Sequence, residues 1–392
     1  MDAKIHTIIP YTSRVLEAQV IEYLKHFPVV AITGPRQSGK STMLQQLLSQ
    51  KYQYVSLDDQ SLISLFQEDP KEFMRRYNNY IIFDEVQKLP ALFDWIKLMV
   101  DQDRQQYGKF ILTGSSQLKL LETISESLAG RIGFLTLLPF QYSELPEAAR
   151  ELAVYKGCYP EVVNRYYHFS ESWYSAYLES YIEKDVRNLY NLGDLHDFRR
   201  LIQLLAANTS QILDLSHYAN QIGVAVNTIK RWITVLQASY IIFLLPPFYQ
   251  NLGKRISKRP KIYFYDTGIV AYLTGIETKR HFENGPMTGA LFENYIISEI
   301  YKNECHRKSN AQLYYYRTSN GLEVDLIIDR KQYKELIEIK YNSTFKVKMI
   351  QALKKLRQEN DRCALIYNGK NDHFDDVVIS NYGDWLLEDK LK

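Results

Sequence analysis

Residues 29–49 read VVAITGPRQSGKSTMLQQLLS, an apolar run followed by a glycine-containing loop and then a helical pattern. The segment from Gly34 to Ser41 matches the pattern GxxxxGK[ST]. The N–H groups of such a loop and the N-terminus of the next helix bind phosphate oxygens, and glycine lets the backbone approach them closely. The stretch therefore predicts a buried strand at 29–33, a phosphate-binding loop and a helix at 42–49.

The loop pattern gives two of its residues specific roles. Lys40 is expected to reach the β and γ phosphates of ATP, and Ser41 is expected to bind Mg²⁺. The other residues expected to contact the nucleotide are Gly34, Pro35, Arg36, Gln37, Ser38, Gly39 and Thr42. The alternative is a glycine turn that only begins a helix, but the strand, loop and helix in series favour phosphate binding.

A second apolar run, at 80–83, ends in Asp84 and Glu85. A buried parallel strand would place Asp84 at its C-terminal edge, close to Mg²⁺, and leave Glu85 to polarise an attacking water. The alternative is a solvated strand end. The phosphate loop upstream favours a catalytic pair.

Three polar residues farther along are weaker candidates for the same site. The strand predicted at 109–113 ends in TGSS, where Thr113 and Ser115 could each sense the terminal phosphate or simply form a turn. Arg131 precedes the strand predicted at 133–138. It could neutralise charge in its own site or in a neighbour's, or it could be a surface arginine.

The composition is that of a folded chain of several domains. The 392 residues are 46% apolar and 24% charged, which excludes disordered, collagen-like and coiled-coil classes. The net charge of +3 is too small for the whole surface to attract polyanions. Three distant cysteines argue against disulfides or zinc, and no segment predicts export or a membrane span. We therefore expect a cytoplasmic protein without membrane contacts.

Hydrophobic patterning divides the chain into four predicted parts of an α/β protein. Short strands, including one at 52–57, alternate with helices in the first part, as in a parallel sheet. A helical stretch, a helix-turn-helix with two strands, and a helix followed by three strands and a final helical region come next. The predicted domains are a P-loop parallel-sheet ATPase domain (1–146), a helical lid or linker (147–210), a winged-helix domain (211–284) and an α/β nuclease-like domain (285–392).

The winged-helix segment carries candidate DNA contacts. Its second helix exposes Lys230 and Arg231, and 241–248 with 261–265 could be the wing strands. Between those strands lies a basic run of Lys254, Arg255, Lys258, Arg259 and Lys261. Such a run could neutralise DNA phosphates. The alternative is a packing module that carries a solvated basic loop.

Four charged side chains near the C-terminus suggest metal chemistry. Glu293 lies on an otherwise apolar helical face, which is costly for an unpaired charge. Period-two alternation brings Asp325, Glu338 and Lys340 together across a hairpin. Asp325 and Glu338 could bind Mg²⁺ or Mn²⁺, while Lys340 stabilises charge on a phosphodiester. The alternative is an inactive ion-pair network.

The chain resembles the AAA+-related prokaryotic ATPases with an uncharacterised C-terminal domain. The first half carries the resemblance in GPRQSGKST, YIIFDEVQKLP, ILTGSSQ and SLAGR, and the second half in YFYDTG, GALFENYIISEI, YYYRTSNGLEVDLIID and ELIEIK. The resemblance implies an ATPase of the additional-strand glutamate type. It assigns phosphate binding to Lys40, magnesium binding to Ser41 and Asp84, and water activation to Glu85.

The order Glu…Asp…Glu-x-Lys in the last hundred residues is similar to the PD-(D/E)xK nuclease core, especially the Holliday-junction-resolvase type. Val324 stands where that motif has its proline. Two functions follow from the sequence. One is an ATP-driven DNA-processing enzyme with a metal-dependent nuclease domain. The other is a nucleotide-controlled switch whose C-terminal half recognises a protein partner and cuts nothing. The expected partners are ATP and, for one function or the other, DNA, a protein or further copies of the chain in a homo-oligomer.

Overall fold

The computed structural model describes residues 11–114, 128–180, 195–249, 259–318 and 320–388. The chain folds as two compact units, one of residues 1–140 with 306–308 and one of residues 141–305 with 309–392. Across the described ranges, no helix has both the length and the apolar character needed to cross a membrane.

A five-stranded parallel sheet forms the centre of the first unit. Its strands are β1 (Val29–Thr33), β2 (Gln53–Ser56), β3 (Ile81–Asp84), β4 (Phe110–Thr113) and β5 (Ile132–Thr136). Their order is β2-β3-β4-β1-β5, and every neighbouring pair is parallel. β4 therefore lies between β1, which precedes the phosphate loop, and β3. The spatial neighbours of β1 are β4 and β5, not β2, the next strand in sequence. The predicted parallel sheet is confirmed, and the ends of its strands differ from the predicted ends by at most two residues.

Helices cover both faces of this sheet, which explains its continuous apolar strands. They are α1 (Glu17–His26), α2 (Lys40–Leu48), α3 (Gln60–Glu68), α4 (Pro70–Arg76) and α5 (Leu92–Gln102). Alternate β1 residues enter two separate cores: Val29 joins side chains of α3, α4 and α5, whereas Val30 joins those of α1 and α2. Asp59 and Asp69 cap α3 and α4 by accepting backbone N–H bonds.

The second unit begins with helices and a β-hairpin. The helices are α6 (Glu147–Lys156), α7 (Pro160–Asn164), α8 (Ser170–Ser180), α9 (Leu195–Ala207), α10 (Leu215–Ile222) and α11 (Val226–Ala238). Gly223, in the left-handed region at φ 88°, ends α10. β6 (Ile242–Leu245) and β7 (Lys261–Phe264) pair in antiparallel register, and α12 (Thr267–Thr274) and α13 (Lys279–Asn284) follow. The pattern of two helices and two strands expected for 212–266 is present.

The C-terminal part combines the long helix α14 (Thr288–His306) with a six-stranded mixed sheet. The strands are β8 (Gln312–Arg317), β9 (Glu323–Asp329), β10 (Lys334–Lys340), β11 (Arg362–Tyr367), β12 (Asp372–Phe374) and β13 (Val377–Asn381), in the order β12-β13-β11-β10-β9-β8. Two short helices complete it, α15 (Gln351–Leu356) and α16 (Tyr382–Leu387). The final helical region predicted after the third strand contains α15 and α16 but also three strands that were not predicted, because a buried parallel strand such as β11 reads as an apolar run without strand alternation.

A β-bulge interrupts β9. Tyr314 pairs with Ile327 and Tyr316 pairs with Val324, so β9 has one residue more than β8 between these pairs. As a result Val324 and Ile327 enter the same apolar cluster, although strict alternation would put them on opposite faces. The period of two predicted for this strand therefore stops at its centre.

A buried polar cluster lies inside the second unit. Lys302 and Glu299 of α14 form an ion pair at 2.7 Å, and both side chains are 1% exposed. Cys158 lies beside it, with Sγ 3.6 Å from Glu299 Oε1. Burial raises the pKa of the Cys158 thiol. Cys363 is also buried, whereas Cys305 is partly exposed.

Candidate functional site

The phosphate loop connects β1 to α2, and two of its positions require glycine. Gly34 has φ 143°, and a Cβ there would lie 2.0 Å from the Leu137 carbonyl oxygen. Gly39 precedes α2 in the left-handed region at φ 93°. Pro35 and Ser38 are buried, while the loop exposes Arg36, Gln37 and Thr42. The structure thus supports the close backbone approach that the sequence pattern implied.

Lys40 is the first residue of α2, and its ammonium lies against the loop itself. Nζ donates to the carbonyl oxygens of Gly34 and Pro35, both at 2.9 Å. Burial lowers the pKa of Lys40 to about 8, against the opposing effect of the Glu85 and Asp84 carboxylates. The Ser38 hydroxyl is buried without a hydrogen-bond partner within the described residues. The loop therefore offers a cation and a polar hydroxyl at the place predicted for phosphate.

Asp84 is the last residue of β3, and its carboxylate accepts hydrogen bonds from three hydroxyl groups. Ser41 Oγ donates to its Oδ2 at 2.9 Å, and Tyr54 OH donates to the same oxygen. Thr113 Oγ1 donates to Oδ1. The predicted residues Ser41, Asp84 and Thr113 therefore meet at one point, at the C-terminal edge of the sheet.

Tyr54 was missed by the sequence analysis. It lies on β2, which pairs with β3 in parallel with Ser56 opposite Asp84. Because side chains alternate along a strand, Tyr54 shares the face of Ser56 and so of Asp84. The signal that could have found it is a hydroxyl two residues before the end of the strand that neighbours the acidic one.

Glu85 follows Asp84 in the left-handed region, at φ 55°. Gln87 Nε2 donates to its Oε2. Burial raises the pKa of Glu85, while Lys40 acts in the opposite direction. A left-handed non-glycine residue carries backbone strain that the surrounding structure must hold. The position suits the predicted water-activating role, and Gln87 is a further residue that the sequence analysis missed.

Arg14 lies outside the motif and forms a hydrogen bond with the phosphate loop. Its guanidinium is buried, and it donates to the carbonyl oxygens of Ser38 at 2.8 Å and Leu138 at 2.7 Å. Nothing in the sequence pattern marks this residue, because the contact joins segments that are far apart in the chain.

Arg131 lies at the opposite edge of the sheet from the phosphate loop. It precedes β5, whose first residue, Ile132, pairs with Val29 at the start of β1. Its guanidinium forms two hydrogen bonds with Asp101, at 2.8 and 2.9 Å. The length of β1 separates the two edges by about 16 Å. The prediction that Arg131 contacts nucleotide in its own site is therefore wrong, whereas its role in a neighbour's site stays a prediction. Ser115 lies outside the described residues.

The basic residues predicted to bind DNA divide into three groups. Lys230 and Arg231 are exposed on α11, and Arg259 is exposed beside Asp214. Lys254, Arg255 and Lys258 lie outside the described residues. Lys261, taken from the sequence as part of the basic run, is buried in β7. Its assignment to a phosphate-binding surface is therefore wrong, because the strand turns its side chain towards acidic residues.

Asp325, Glu338 and Lys340 meet as the strand pattern predicted. Ile337 pairs with Leu326 across β9 and β10, which places Glu338 opposite Asp325 at the next position. Lys340 Nζ lies 3.1 Å from Asp325 Oδ2 and 2.6 Å from Glu338 Oε1. Burial, with the nearby Asp325 carboxylate, raises the pKa of Glu338. Glu338 Oε2 is buried without a hydrogen-bond partner in the described part of the chain.

Glu293 contacts side chains of β7. Its Oε1 accepts from Lys261 Nζ at 3.1 Å and from Tyr263 OH at 2.7 Å. Lys261 Nζ also lies 2.6 Å from Glu323 Oε1. The four predicted residues thus belong to two adjacent lysine-bridged groups. Over the described residues, no three or more His, Cys, Asp or Glu side chains are arranged to hold a metal ion.

Family models match three consecutive segments of the chain. Residues 26–146 match an AAA domain, residues 147–280 a domain of unknown function (DUF8612), and residues 288–382 another domain of unknown function (DUF4143). Residues 26–146, which include the phosphate loop and Asp84, are therefore similar to an AAA-type ATPase domain.

Similar proteins also include two uncharacterised ones. A protein of Mycobacterium bovis is 28% identical over 373 residues, which are 94% of this chain and 83% of that one. A protein of Haemophilus influenzae is 23% identical over 296 residues, 66% of this chain and 72% of that one. Among solved structures, a Walker-type ATPase of Pyrococcus abyssi is 16% identical with a TM-score of 0.46, over 68% of this chain and 98% of that one.

Proposed function

We propose that the first unit binds ATP and hydrolyses it with Mg²⁺. The observation that carries this proposal is the convergence of Ser41, Asp84 and Thr113 beside a loop that begins α2 with a buried lysine. A carboxylate and a hydroxyl at this place are the ligands that Mg²⁺ takes at a phosphate loop. The unpartnered Ser38 hydroxyl and the loop N–H groups suit phosphate oxygens.

The residues of the site divide the chemistry among them. Ser41 and Asp84 would hold Mg²⁺, which neutralises charge that develops on the phosphates. Lys40 would exchange the carbonyl oxygens of Gly34 and Pro35 for phosphate oxygens. Glu85 would orient the attacking water and accept its proton.

Phosphate release by the purified chain tests the proposal directly. We expect slow hydrolysis of ATP that requires Mg²⁺ and stops when EDTA removes it. A chain that binds no ATP in the presence of Mg²⁺, with intact secondary structure, would contradict the proposal.

Tyr54→Phe should raise the Mg²⁺ concentration needed for half-maximal hydrolysis. The change removes a donor to Asp84 Oδ2 and so loosens a metal ligand. A hydrogen bond to a charged group contributes about 1.5–3 kcal/mol, which corresponds to roughly tenfold or more. Tyr52→Phe is the matched control, since it removes a tyrosine hydroxyl bound to the Gly108 carbonyl. Equal Mg²⁺ dependence in wild type and Tyr54→Phe would exclude a positioning role.

A second candidate function, metal-dependent cleavage of DNA, is favoured by the C-terminal carboxylates. Mg²⁺ is commonly bound by one or two carboxylates together with substrate phosphates. Asp325 and Glu338 supply two, and the unpartnered Glu338 Oε2 supplies an oxygen without a hydrogen bond. Lys340, which contacts both carboxylates, would face a phosphate. Mn²⁺ would suit the same oxygens. The alternative is a switch in which this cluster recognises a protein partner or another copy of the chain.

Neutralising Lys230 and Arg231 together should weaken DNA binding and flatten its salt dependence. Each phosphate contact contributes about 0.9 to the slope of log affinity against log salt, so the slope should fall by about 1–2. Fluorescence anisotropy over a salt series measures the slope. A double change of the exposed Arg75 and Arg76 removes the same charge and should leave the slope unchanged. If the slope is unchanged in both double variants, α10 and α11 form a packing or protein-binding module and not a DNA-binding one.

A further inference from the structure

A lysine-rich helical segment follows β10. Residues 341–358 contain five cations and no acidic residue. We call residues 346–357, which hold all five, the C-terminal basic segment. A 3₁₀ turn (Val347–Ile350) continues directly into α15 within it. The positive charges are therefore concentrated on one short helical stretch and its two ends.

The apolar face of the C-terminal basic segment is already covered. Ile350 and Leu353 belong to the apolar cluster of the C-terminal sheet, and Met349 and Leu356 pack against that cluster. The four lysines of the segment are all exposed. One face thus fixes the helix on the sheet, while the lysines lie in solvent.

Three of the five cations have no acidic partner. The turn between β12 and β13 supplies Asp375 and Asp376, which form ion pairs with the other two cations. Within the described ranges, no carboxylate pairs with Lys346, Lys348 or Lys355. These three ammonium groups are therefore available to an anionic partner.

Two of the unpaired lysines are spaced for a row of phosphates. Lys348 and Lys355 are seven residues apart, which is two helical turns, so they lie on the same side of the segment. Their separation along the helix axis is about 11 Å. One DNA strand carries a phosphate about every 3.4 Å along the duplex axis. The two lysines therefore span about three phosphate steps.

The segment starts at the sheet edge that holds Lys340. β10 and β11 are parallel, and Lys340, the last residue of β10, pairs with Tyr367, the last residue of β11. Six residues lead from Lys340 to Lys346, which limits the distance between their Cα atoms to about 22 Å. One turn of duplex DNA extends about 34 Å. A duplex on the segment can therefore reach Lys340 within a single turn.

Burial distinguishes DNA from an anionic membrane as the partner. An amphipathic helix binds a membrane by inserting its apolar face, but here that face is packed against the sheet. Among the residues of the segment, all of which the structure describes, only Val347 exposes a large apolar side chain. Unpaired lysines without an exposed apolar stripe suit a nucleic-acid backbone, where each contact releases counterions.

We propose that Lys346, Lys348 and Lys355 bind the phosphate backbone of a DNA duplex and hold it at the sheet edge where Lys340 lies. The inference rests on the second candidate function above, which selects DNA among polyanions. It gives the C-terminal domain a DNA-binding surface of its own, in addition to the one predicted on α11.

The salt dependence of DNA binding tests the inference without a cleavage assay. Fluorescence anisotropy of a short DNA duplex is measured in EDTA over a salt series, with the full-length chain. Lys346→Gln, Lys348→Gln and Lys355→Gln combined should lower the slope of log affinity against log salt by about 2–3, because each phosphate contact contributes about 0.9. Arginine at the same three positions keeps the charge and should keep the slope.

Three cations of the first unit provide the matched control. Lys71→Gln, Arg75→Gln and Arg76→Gln combined remove the same charge from the exposed face of α4 and should leave the slope unchanged. A slope that falls equally in both triple variants would overturn the inference, and so would a slope that falls in neither.

The outcomes also separate the inference from DNA cleavage. If wild type cuts DNA with Mg²⁺ but the glutamine variant of the segment keeps the slope, the inference is overturned while the second candidate function stands. If the slope falls and wild type cuts nothing, the surface stands and the cleavage fails. A wild-type chain that binds no duplex contradicts both. Preferential binding to phosphatidylserine vesicles or to polyglutamate would assign the segment to a membrane or an acidic protein and overturn the choice of DNA.

Discussion

Replacing Glu85 with glutamine should leave ATP bound to the first unit while slowing its hydrolysis by about a hundredfold or more. Glutamine keeps the size of the side chain, but it has no carboxylate to accept a proton from water. The phosphate loop uses other residues, so ATP affinity should change little. Calorimetry for binding and phosphate release for turnover, on the same preparation, separate the two effects.

Lys40→Ala is the complementary change. It removes the ammonium beside the loop and should weaken ATP binding as well as hydrolysis, because the lysine is expected to contact the phosphates. Lys71→Ala, on the exposed face of α4, removes a lysine that is not part of the loop and should behave as wild type. Unchanged ATP affinity in Lys40→Ala would contradict the assignment of residues 34–41 as the phosphate loop.

Asp325→Ala and Lys340→Ala should both abolish metal-dependent cleavage of DNA, by different routes. Asp325 would be a metal ligand, so its loss should also remove Mn²⁺ binding. Lys340 would stabilise charge on the phosphate, so its loss should leave Mn²⁺ bound. Cleavage is measured on linear, nicked and branched DNA with Mg²⁺ or Mn²⁺, in the presence and absence of ATP.

Asp329→Ala provides the matched control for this pair. Asp329 ends the same strand, where its carboxylate accepts from the backbone of Lys331. ATP hydrolysis should persist in all three variants, because the phosphate loop uses none of these residues. Wild-type protein that binds branched DNA and leaves it intact under every condition would favour the switch over the nuclease.

The first unit was predictable because its motif is contiguous. The segment from β1 to α2 follows from local sequence, and the apolar run before Asp84 identifies β3. Arg14 and Tyr54 could not be assigned, since each reaches the site through tertiary packing. Gln87 reaches Glu85 from two residues along the chain, through a local conformation that the sequence pattern does not specify. β4 lies between β1 and β3, and this order brings Thr113 to Asp84.

The second unit was predicted less completely, for physical reasons that can be named. Lys261 was predicted to begin a strand and also to belong to a basic run that binds phosphate. It does begin β7, but its side chain is buried, so it does not belong to a phosphate-binding surface. Alternation correctly brought Asp325 to Lys340, whereas the bulge in β9 ended the pattern beyond it. Glu293 was rightly identified as a carboxylate that needs a partner, and its partners come from β7.

The cysteines give the second unit a chemical label that the first unit lacks. All three lie after residue 140, and Cys158 and Cys363 are buried. The thiolate is the form that attacks a thiol reagent, and burial raises the pKa of both buried thiols, so modification requires the fold to open around them. The rate at which Cys158 and Cys363 are modified therefore reports how often the second unit opens around them. A change in its rate when ATP is added would measure, as a free energy, how strongly nucleotide is linked to the opposite half of the chain.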